Sequence, residues 1–495
     1  MKIVLISTYE LGRQPFGLAS PVAWLRARGH EVACQDLARD VLDEAAIRAA
    51  GLIAFYVPMH TATRLAVALL KSIRELNPHA HLCFYGLYAP VNEDYLRGLG
   101  VGTILGGEFE AGLASLAERL AQNQAGPSGR TFQAEPVISL ARQKFRIPDR
   151  SGMTPLANYA RVIMPDGEHR IAGSTEATRG CKHLCRHCPI VPVYNGVFRV
   201  VERDVVLQDI RQQVAAGAKH ITFGDPDFFN GPAHALAIVE AMHREFPELT
   251  YDVTIKIEHL RNLDAHLPKL RDTGCLFVTS AVESVDDAIL EKFDKGHTRQ
   301  DFLAVAARFR ELGLTLLPTF VPFTPWTTLH GYNDLLDVIR EQGLCENVAP
   351  IQLAIRLLIP AGSRLLELPD VRATVGPFDS AALMFPWKHT DARVDALTRA
   401  LSDLVQRGEK LKLSRTEIFL HIQRAARSAA GNKEVRSMVS SMASGIVPGA
   451  VPEKAPSLPV PYLDEPWYCC AEPMDDQFVS IGNAKTPASK ADQFV

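Results

Sequence analysis

The sequence predicts an α/β protein in four parts. A doubly wound parallel domain comes first, then a partial (β/α)6 barrel, then a helical segment and an extended tail. Three observations predict this. Strand-like and helix-like runs alternate over residues 1–122, the pattern of a parallel sheet with crossover helices. A second alternating series of about six units fills residues 151–370. Beyond 371 the apolar spacing turns helical, and seven prolines then fall between Pro448 and Pro473.

The elements follow in order. Lys2–Ser7 is a buried strand run, Leu18–Arg28 a helix, and Gly29-His30-Glu31-Val32 leads into a second strand. Leu52–Val57 is a strand, Arg64–Glu75 a helix and His81–Tyr85 a strand. Gly106-Gly107-Glu108-Phe109-Glu110 precedes the helix Ala111–Ala121. Ligands of such sheets bind beyond strand C-termini, here Thr8–Phe16, Pro58–Thr61, Gly86–Pro90 and Gly106–Glu108. Residues 123–150 are rich in Gly, Pro, Ser and polar residues, as a linker is. The barrel strands are expected at Ile171–Thr175, His220–Phe223, Tyr251–Ile255, Leu276–Ser280, Leu314–Thr319 and Ile351–Leu358. In the helical segment 371–445, Val394, Leu397, Leu401, Leu404 and Val405 share one apolar face, which reads as packing. Residues 446–495 read as a proline-rich tail.

Composition narrows the function classes. The chain has 495 residues, 47% of them hydrophobic, and mean hydropathy is near zero, as in folded soluble proteins. A formal charge of −3 supplies no basic field, which argues against nucleic acid as a partner. No apolar run is long enough to span a bilayer, and Met-Lys-Ile-Val-Leu-Ile-Ser is strand-like rather than a signal peptide. Nine cysteines without a framework pattern suit a reducing cytoplasm.

The chemistry starts at Thr-Arg-Gly-Cys-Lys-His-Leu-Cys-Arg-His-Cys-Pro. Cys181, Cys185 and Cys188 have the spacing C-x3-C-x2-C. Three thiolates on one loop can hold three irons of a [4Fe–4S] cluster and leave the fourth open. With His183 or His187 the same residues could close a Cys3His zinc site. The flanks favour the cluster. Residues 170–180 read as a strand and Val205–Ala216 as a helix, so the loop starts at a strand C-terminus, where barrels of this type carry their sites.

This spacing resembles that of the radical S-adenosylmethionine (SAM) enzymes, whose open iron chelates SAM. The resemblance implies a Rossmann-like first domain and a partial TIM-type barrel. It also implies SAM contacts at strand ends, assigned residue by residue. Gly224-Asp225-Pro226-Asp227 stands where the family often has Gly-Gly-Glu, so Asp225 or Asp227 would accept from the SAM ammonium; an Asp-Pro turn with a capping Asp227 is the alternative. Lys256 and Glu258 follow the third strand, Glu283 and Ser284 the fourth, with ribose and methionine contacts implied there. Arg356, in the sixth, would pair the SAM carboxylate unless an internal acid claims it.

Residues 1–122 resemble the cobalamin-binding domain of many radical SAM proteins, although the Asp-x-His-x-x-Gly cobalt-ligand motif is missing. Cobalamin binding and a domain that only packs on the barrel both remain open. The other cysteines (Cys34, Cys83, Cys275, Cys345, Cys469, Cys470) do not form a second dense set, so one cluster is expected.

Trp467-Tyr468-Cys469-Cys470-Ala471-Glu472-Pro473 resembles the ending of the CUAEP/CCAEP-tail radical SAM proteins. It implies a catalytic use of Cys469 and Cys470: capture of a thiophilic metalloid such as trivalent arsenic, supply of a hydrogen atom or electron, or ligation of cobalt. A vicinal disulfide or a tail without a role is the alternative. The expected function is therefore a radical SAM transferase acting on a small molecule and fed electrons by a flavodoxin or ferredoxin. Carbon–arsenic bond formation by 3-amino-3-carboxypropyl transfer is its sharpest form. A cobalamin-dependent methyltransferase and a non-enzymatic iron–sulfur or metalloid sensor are the alternatives.

Overall fold

Lys2–Ser7 (β1) is buried at every position but its first, because it lies inside a parallel sheet covered on both faces. In the computed structural model, which describes residues 1–124, 134–431, 459–465 and 471–473, the chain divides into two units. The first holds Met1–Tyr159 with Ser380–Leu383; the second holds Ala160–Asp379 and Met384–Glu472.

In the first unit β1 is followed by α1 (Phe16–Arg26), β2 (Glu31–Asp36), α2 (Glu44–Ala49), β3 (Leu52–Tyr56) and α3 (His60–Leu76). Next come β4 (His81–Tyr85), the short helices α4 (Tyr88–Val91) and α5 (Glu93–Gly98), β5 (Thr103–Gly107), α6 (Phe109–Gln124) and β6 (Ile138–Ser139). The sheet order is β2-β1-β3-β4-β5-β6, all parallel. It reverses between β1 and β3, and ligands of doubly wound sheets sit beyond the strand ends at such a point. Pro21 lies inside α1 and has no N–H, so the Gly17 carbonyl four residues earlier lacks its helical partner. The buried Tyr85 hydroxyl donates to that carbonyl at 2.9 Å.

The stretch read as a linker belongs to this unit from residue 134 on. Its β6 extends the sheet, Asp149 pairs with Arg26 at 2.8 Å, and the Arg150 guanidinium donates to Gln14 Oε1 at 2.8 Å. Polar composition there marks side chains that bond the domain's edge.

The second unit opens with β7 (Arg161–Ile163), β8 (His169–Thr175), β9 (Thr178–Gly180), α7 (Val191–Tyr194) and β10 (Phe198–Val200). Then α8 (Arg203–Ala215), β11 (His220–Phe223), α9 (Pro232–Glu245), β12 (Thr250–Thr254), α10 (Ile257–Asn262) and α11 (Leu267–Asp272) follow. The series closes with β13 (Cys275–Glu283), α12 (Asp287–Phe293), α13 (Arg299–Leu312), β14 (Thr315–Phe320) and α14 (Leu329–Glu341). Strands β8, β11, β12, β13 and β14 are parallel neighbours in one curled half-barrel sheet; β7 is antiparallel to β8. Thr298 and Asp301 form a reciprocal capping box that starts α13.

The sixth barrel strand expected at Ile351–Leu358 does not form. Pro350–Leu353 is a 3-10 turn, and a single parallel bridge, Phe323 to Arg356, stands in its place. Ile351, Leu353, Ile355 and Leu357 are all buried, so the apolar run records burial rather than an extended strand. The helices α15 (Pro369–Thr374), α16 (Ala392–Lys410) and α17 (Arg415–Gly431) follow, with the expected apolar face of α16 buried. Tyr462–Leu463 (β15) adds antiparallel to β7. No helix among the described residues is long and apolar enough to cross a membrane.

Candidate functional site

The three cysteines leave the half barrel by way of a short hairpin. After β8, the chain forms β9 against antiparallel β10, and the cysteine loop starts directly after Gly180. Asp225, beyond β11, fixes this departure. Its Oδ1 accepts from Thr178 N at 2.5 Å and Thr178 Oγ1 at 2.6 Å, and its Oδ2 accepts from Ala177 N at 2.9 Å. Burial pushes the Asp225 carboxyl up to about 7 against those three donors. Asn230 brackets Cys181, donating to the Gly180 carbonyl at 3.1 Å and accepting from Lys182 N at 3.2 Å. Gly180 has φ +74, and a Cβ there would lie 2.3 Å from Tyr194 Cδ1 and 2.6 Å from the Val197 carbonyl oxygen.

The rest of the loop is fastened to other strand ends. Arg186 N donates to the Phe293 carbonyl, and its guanidinium donates to the carbonyls of Glu291 and Lys292, at the C-terminal end of α12, where such groups are unpaired. His187 Nε2 meets Glu283 Oε1 at 3.0 Å, and its ring packs on Phe293 at 4.4 Å. Lys295 Nζ lies 3.4 Å from the same Glu283 oxygen. Cys188 N donates to the Cys185 carbonyl, a tight turn that brings the loop back on itself.

None of the three cysteines is in a disulfide; Cys185 is buried and the other two are half-buried. Burial pushes the Cys181 thiol up to about 12, so a thiolate there requires positive charge beside it. Both histidines that could close a Cys3His zinc site are turned elsewhere: His187 to Glu283, and His183 to Asp227 and Glu258. The loop therefore offers three sulfur donors and no fourth from its own histidines, which fits a cluster with one open iron. The remaining described cysteines sit apart as packing groups, Cys83, Cys275 and Cys345 buried and Cys34 half-buried.

The other expected site residues fall into three sets. Asp227, Lys256 and Glu258 come together beside His183. Lys256 Nζ donates to Glu258 Oε2 at 2.9 Å and lies 3.3 Å from His183 Nδ1. Asp227 caps the turn after β11 through Phe229 N, as its alternative reading allowed, while its Oδ2 lies 2.8 Å from His259 Nδ1 and 3.5 Å from His183 Nε2. Burial opposes its charge, but the two histidines hold its carboxyl below the ordinary range. Glu283 and Ser284 end β13; Glu283 ties down the loop, and Ser284 Oγ accepts from Asp286 N. Arg356 is claimed by internal acids: its guanidinium bonds Asp395 at 2.6 Å and Glu472 at 3.2 Å, donates to the Trp387 carbonyl and stacks over the Trp387 ring at 3.6 Å. It does not present a free fork for a carboxylate. Cys469 and Cys470 lie outside the described residues; the adjoining Ala471 bridges Leu357, and Glu472 N donates to the Arg356 carbonyl.

Sequence reasoning passed over His259 and Lys295. His259 and Lys295 stand one and eleven residues from positions already singled out, so proximity to a strand end was the available signal.

In the first unit, Ser7 Oγ and His60 Nδ1, at the C-terminal edge of the sheet, are buried and complete no hydrogen bond among the described residues. His60 Nε2 meets the Ala382 carbonyl at 2.7 Å, and burial moves its pKa down to about 4, so the ring is neutral at pH 7. The rings of Tyr56, Tyr85 and Phe109 pack against one another at tilted angles of 36–54°, and Gly17 sits against Tyr56 where a Cβ would lie 2.1 Å from the ring. No histidine occurs in Thr8–Phe16. Glu108 and Glu110 are buried and bonded by Gln143, with Ser20 also on Glu110. Such an edge fits a ligand held by shape and hydrogen bonds, without an imidazole from the first strand end.

Residues 175–334 match the radical SAM superfamily, so this part of the chain is a radical SAM domain. Among curated relatives, the chain is 23% identical over 341 residues to the hopanoid C-3 methylase of Methylococcus capsulatus, covering 66% of this chain and 64% of that one. It is 24% identical over 221 residues to the tRNA-2-methylthio-N(6)-dimethylallyladenosine synthase of Desulfosudis oleivorans, covering 41% of this chain and 46% of that one. The chain thus spans about half to two thirds of the length of these relatives. Its fold is similar to that of the cobalamin-dependent SAM radical enzyme OxsB solved with aqua-cobalamin: TM-score 0.68 and 12% identity, covering 89% of this chain and 74% of that chain.

Proposed function

We propose that this chain, whose residues 175–334 form a radical SAM domain, is a cobalamin-using methyltransferase that takes a methyl group from SAM to a small organic substrate. The observation that carries the reading is the cysteine loop: three thiols without a disulfide, and both neighbouring histidines turned away, at the mouth of a half-barrel. When bound there, a [4Fe–4S] cluster supplies single electrons for reductive cleavage of SAM, and a flavodoxin or ferredoxin is the class of protein that would reduce it. Likeness to OxsB and to a methylase supports a corrinoid, which supplies a methyl carrier. Ser7, Thr8, His60, Gly86 and Gly107, at the strand ends of the first unit, are the residues that would hold it.

The chain's own residues have separable tasks in this reading. Cys181, Cys185 and Cys188 hold the cluster. Asp225, Asn230 and Glu283 hold the loop that carries them. Lys256, Glu258 and Ser284, at the third and fourth strand ends, orient SAM, with the Lys256–Glu258 pair offering one donor and one acceptor to its charged groups. Arsenic transfer rested on Cys469 and Cys470, outside the described residues, and no relative named above handles arsenic, so the methyltransferase is preferred.

The test is anaerobic reconstitution with iron, sulfide and hydroxocobalamin, followed by turnover of SAM that carries a deuterated methyl group. The reading expects corrinoid to stay with the protein through gel filtration, and both S-adenosylhomocysteine from the methyl-donating SAM and 5′-deoxyadenosine from the reductively cleaved SAM to accumulate, with label in an acceptor. Protein that retains no corrinoid and converts SAM to methylthioadenosine, with or without arsenite, would overturn it.

A further inference from the structure

His183, Asp227 and His259 come from three separate elements: the cysteine loop, the turn after β11, and α10. One ligand atom from each lies within 4.8 Å of the others. Those atoms, His183 Nε2, Asp227 Oδ2 and His259 Nδ1, are buried and turned toward one another, and the described residues offer them no further partner. Three buried ligand atoms thus converge on one point, with one carboxylate oxygen shared between two imidazole nitrogens, an arrangement that one cation between them would complete.

We propose that these three side chains bind one mononuclear divalent transition-metal ion, of zinc or ferrous type, at a site separate from the three cysteines. Two imidazole nitrogens with one carboxylate oxygen form the donor set of open zinc and non-haem iron sites. The spacing agrees. Ligand atoms about 2.1 Å from a metal stand roughly 3.0 Å apart in an octahedron and 3.4 Å apart in a tetrahedron. Here the carboxylate oxygen stands 2.8 Å from one nitrogen and 3.5 Å from the other. The two imidazole planes are inclined at 57° with centroids 4.6 Å apart, so the rings converge on a point rather than stack.

The remaining atoms of the set are held by supporting contacts. Asp227 Oδ1 accepts from Phe229 N at 3.0 Å, which aims Oδ2. His183 Nδ1 lies between Lys256 Nζ at 3.3 Å and Glu258 Oε2 at 3.5 Å, contacts that fix the ring with Nε2 turned toward Asp227. Asp227 and Glu258 bring two carboxylates against the single ammonium of Lys256. The excess negative charge suits a dication.

This site does not depend on the methyltransferase reading, and it is tested without turnover. The full-length Cys181→Ser/Cys185→Ser/Cys188→Ser variant removes the cluster ligands. Anaerobic titration with cobalt(II) as probe should show one equivalent bound, with ligand-field bands but no thiolate charge-transfer band. Adding His259→Ala should weaken binding at least about 100-fold, the upper end of what losing even a supporting partner costs; Glu258→Gln should weaken it about 10-fold or more. Wild-type protein with a reconstituted cluster provides a second measurement that needs no cysteine variant. After removal of loose metal, it should carry one zinc, or one iron in excess of its sulfide, and His259→Ala should carry neither. Failure of cobalt(II) to bind, binding indifferent to His259→Ala, or absence of the additional metal in the wild-type holoprotein would overturn the proposal.

Discussion

Replacing Glu283 by Gln should loosen the cysteine loop and destabilise the second unit. Glu283 is 5% exposed, stands at φ +69 where β13 shifts register against β14, and faces His187 and the 4% exposed Lys295. Burial alone would raise its pKa, but Lys295 and then His187 outweigh burial and hold it down, from 4.5 to about 2. That drop corresponds to roughly 3 kcal/mol in favour of the charged form. A folded pKa below the unfolded one means that the stabilisation is complete above about pH 4.5 and is lost as pH falls toward 2. Gln keeps the size and one acceptor but removes the carboxylate charge that faces buried Lys295. At pH 7 the urea transition followed by Trp326 and Trp387 fluorescence should therefore fall by about 3 kcal/mol, and less iron should survive gel filtration after reconstitution. In Glu283→Gln/Lys295→Met the buried positive charge is removed together with the negative one, so more than half of the loss should return. A Glu283→Gln transition within about 0.5 kcal/mol of wild type, or a double variant no better than the single one, would refute the reasoning.

Two further expectations concern different parts of the chain. Gly180→Ala should cost about 2–3 kcal/mol or more and abolish cluster retention, because φ +74 and the 2.3 Å approach to Tyr194 leave no place for a methyl group; iron content and visible absorbance after reconstitution check it. Asp36, pushed up to about 6 by burial despite the Tyr159 hydroxyl bonded to it, binds its proton more tightly folded than unfolded. Stability in the first unit should thus fall as pH rises from about 4 through 6, and Asp36→Asn should be the more stable form at pH 7.5 by about 2 kcal/mol yet show no gain at pH 4, as read by urea unfolding at the two pH values.

Much of the fold was legible because its signals are local. His81–Tyr85 and His220–Phe223 are strands at the residues expected, since short β-branched and aromatic runs between turn residues need no distant information. The cysteine loop follows the first barrel strand as expected, although its position as the connection between antiparallel β9 and β10 was not foreseen. Ile351–Leu358 misled because a buried run looks the same in a strand, a turn or a helix. The partners of Arg356 lie 39 and 116 positions further along, beyond any window of sequence periodicity. The meeting of His183, Asp227 and His259 was hidden for the same reason: three elements must fold before the residues share a point.

The bond between Arg356 and Glu472 ties the history of two distant codons together. Arg356 is nearly enclosed and carries a charge that two acids and a tryptophan ring offset. A descendant that shed the segment around Glu472 would keep Asp395 but lose half of that compensation, together with the Ala471–Leu357 bridge. Such a lineage is expected to exchange Arg356 for a neutral side chain or to recruit a new acid beside it. The segment around Glu472 and the residue at Arg356 should be gained, altered and lost as a pair.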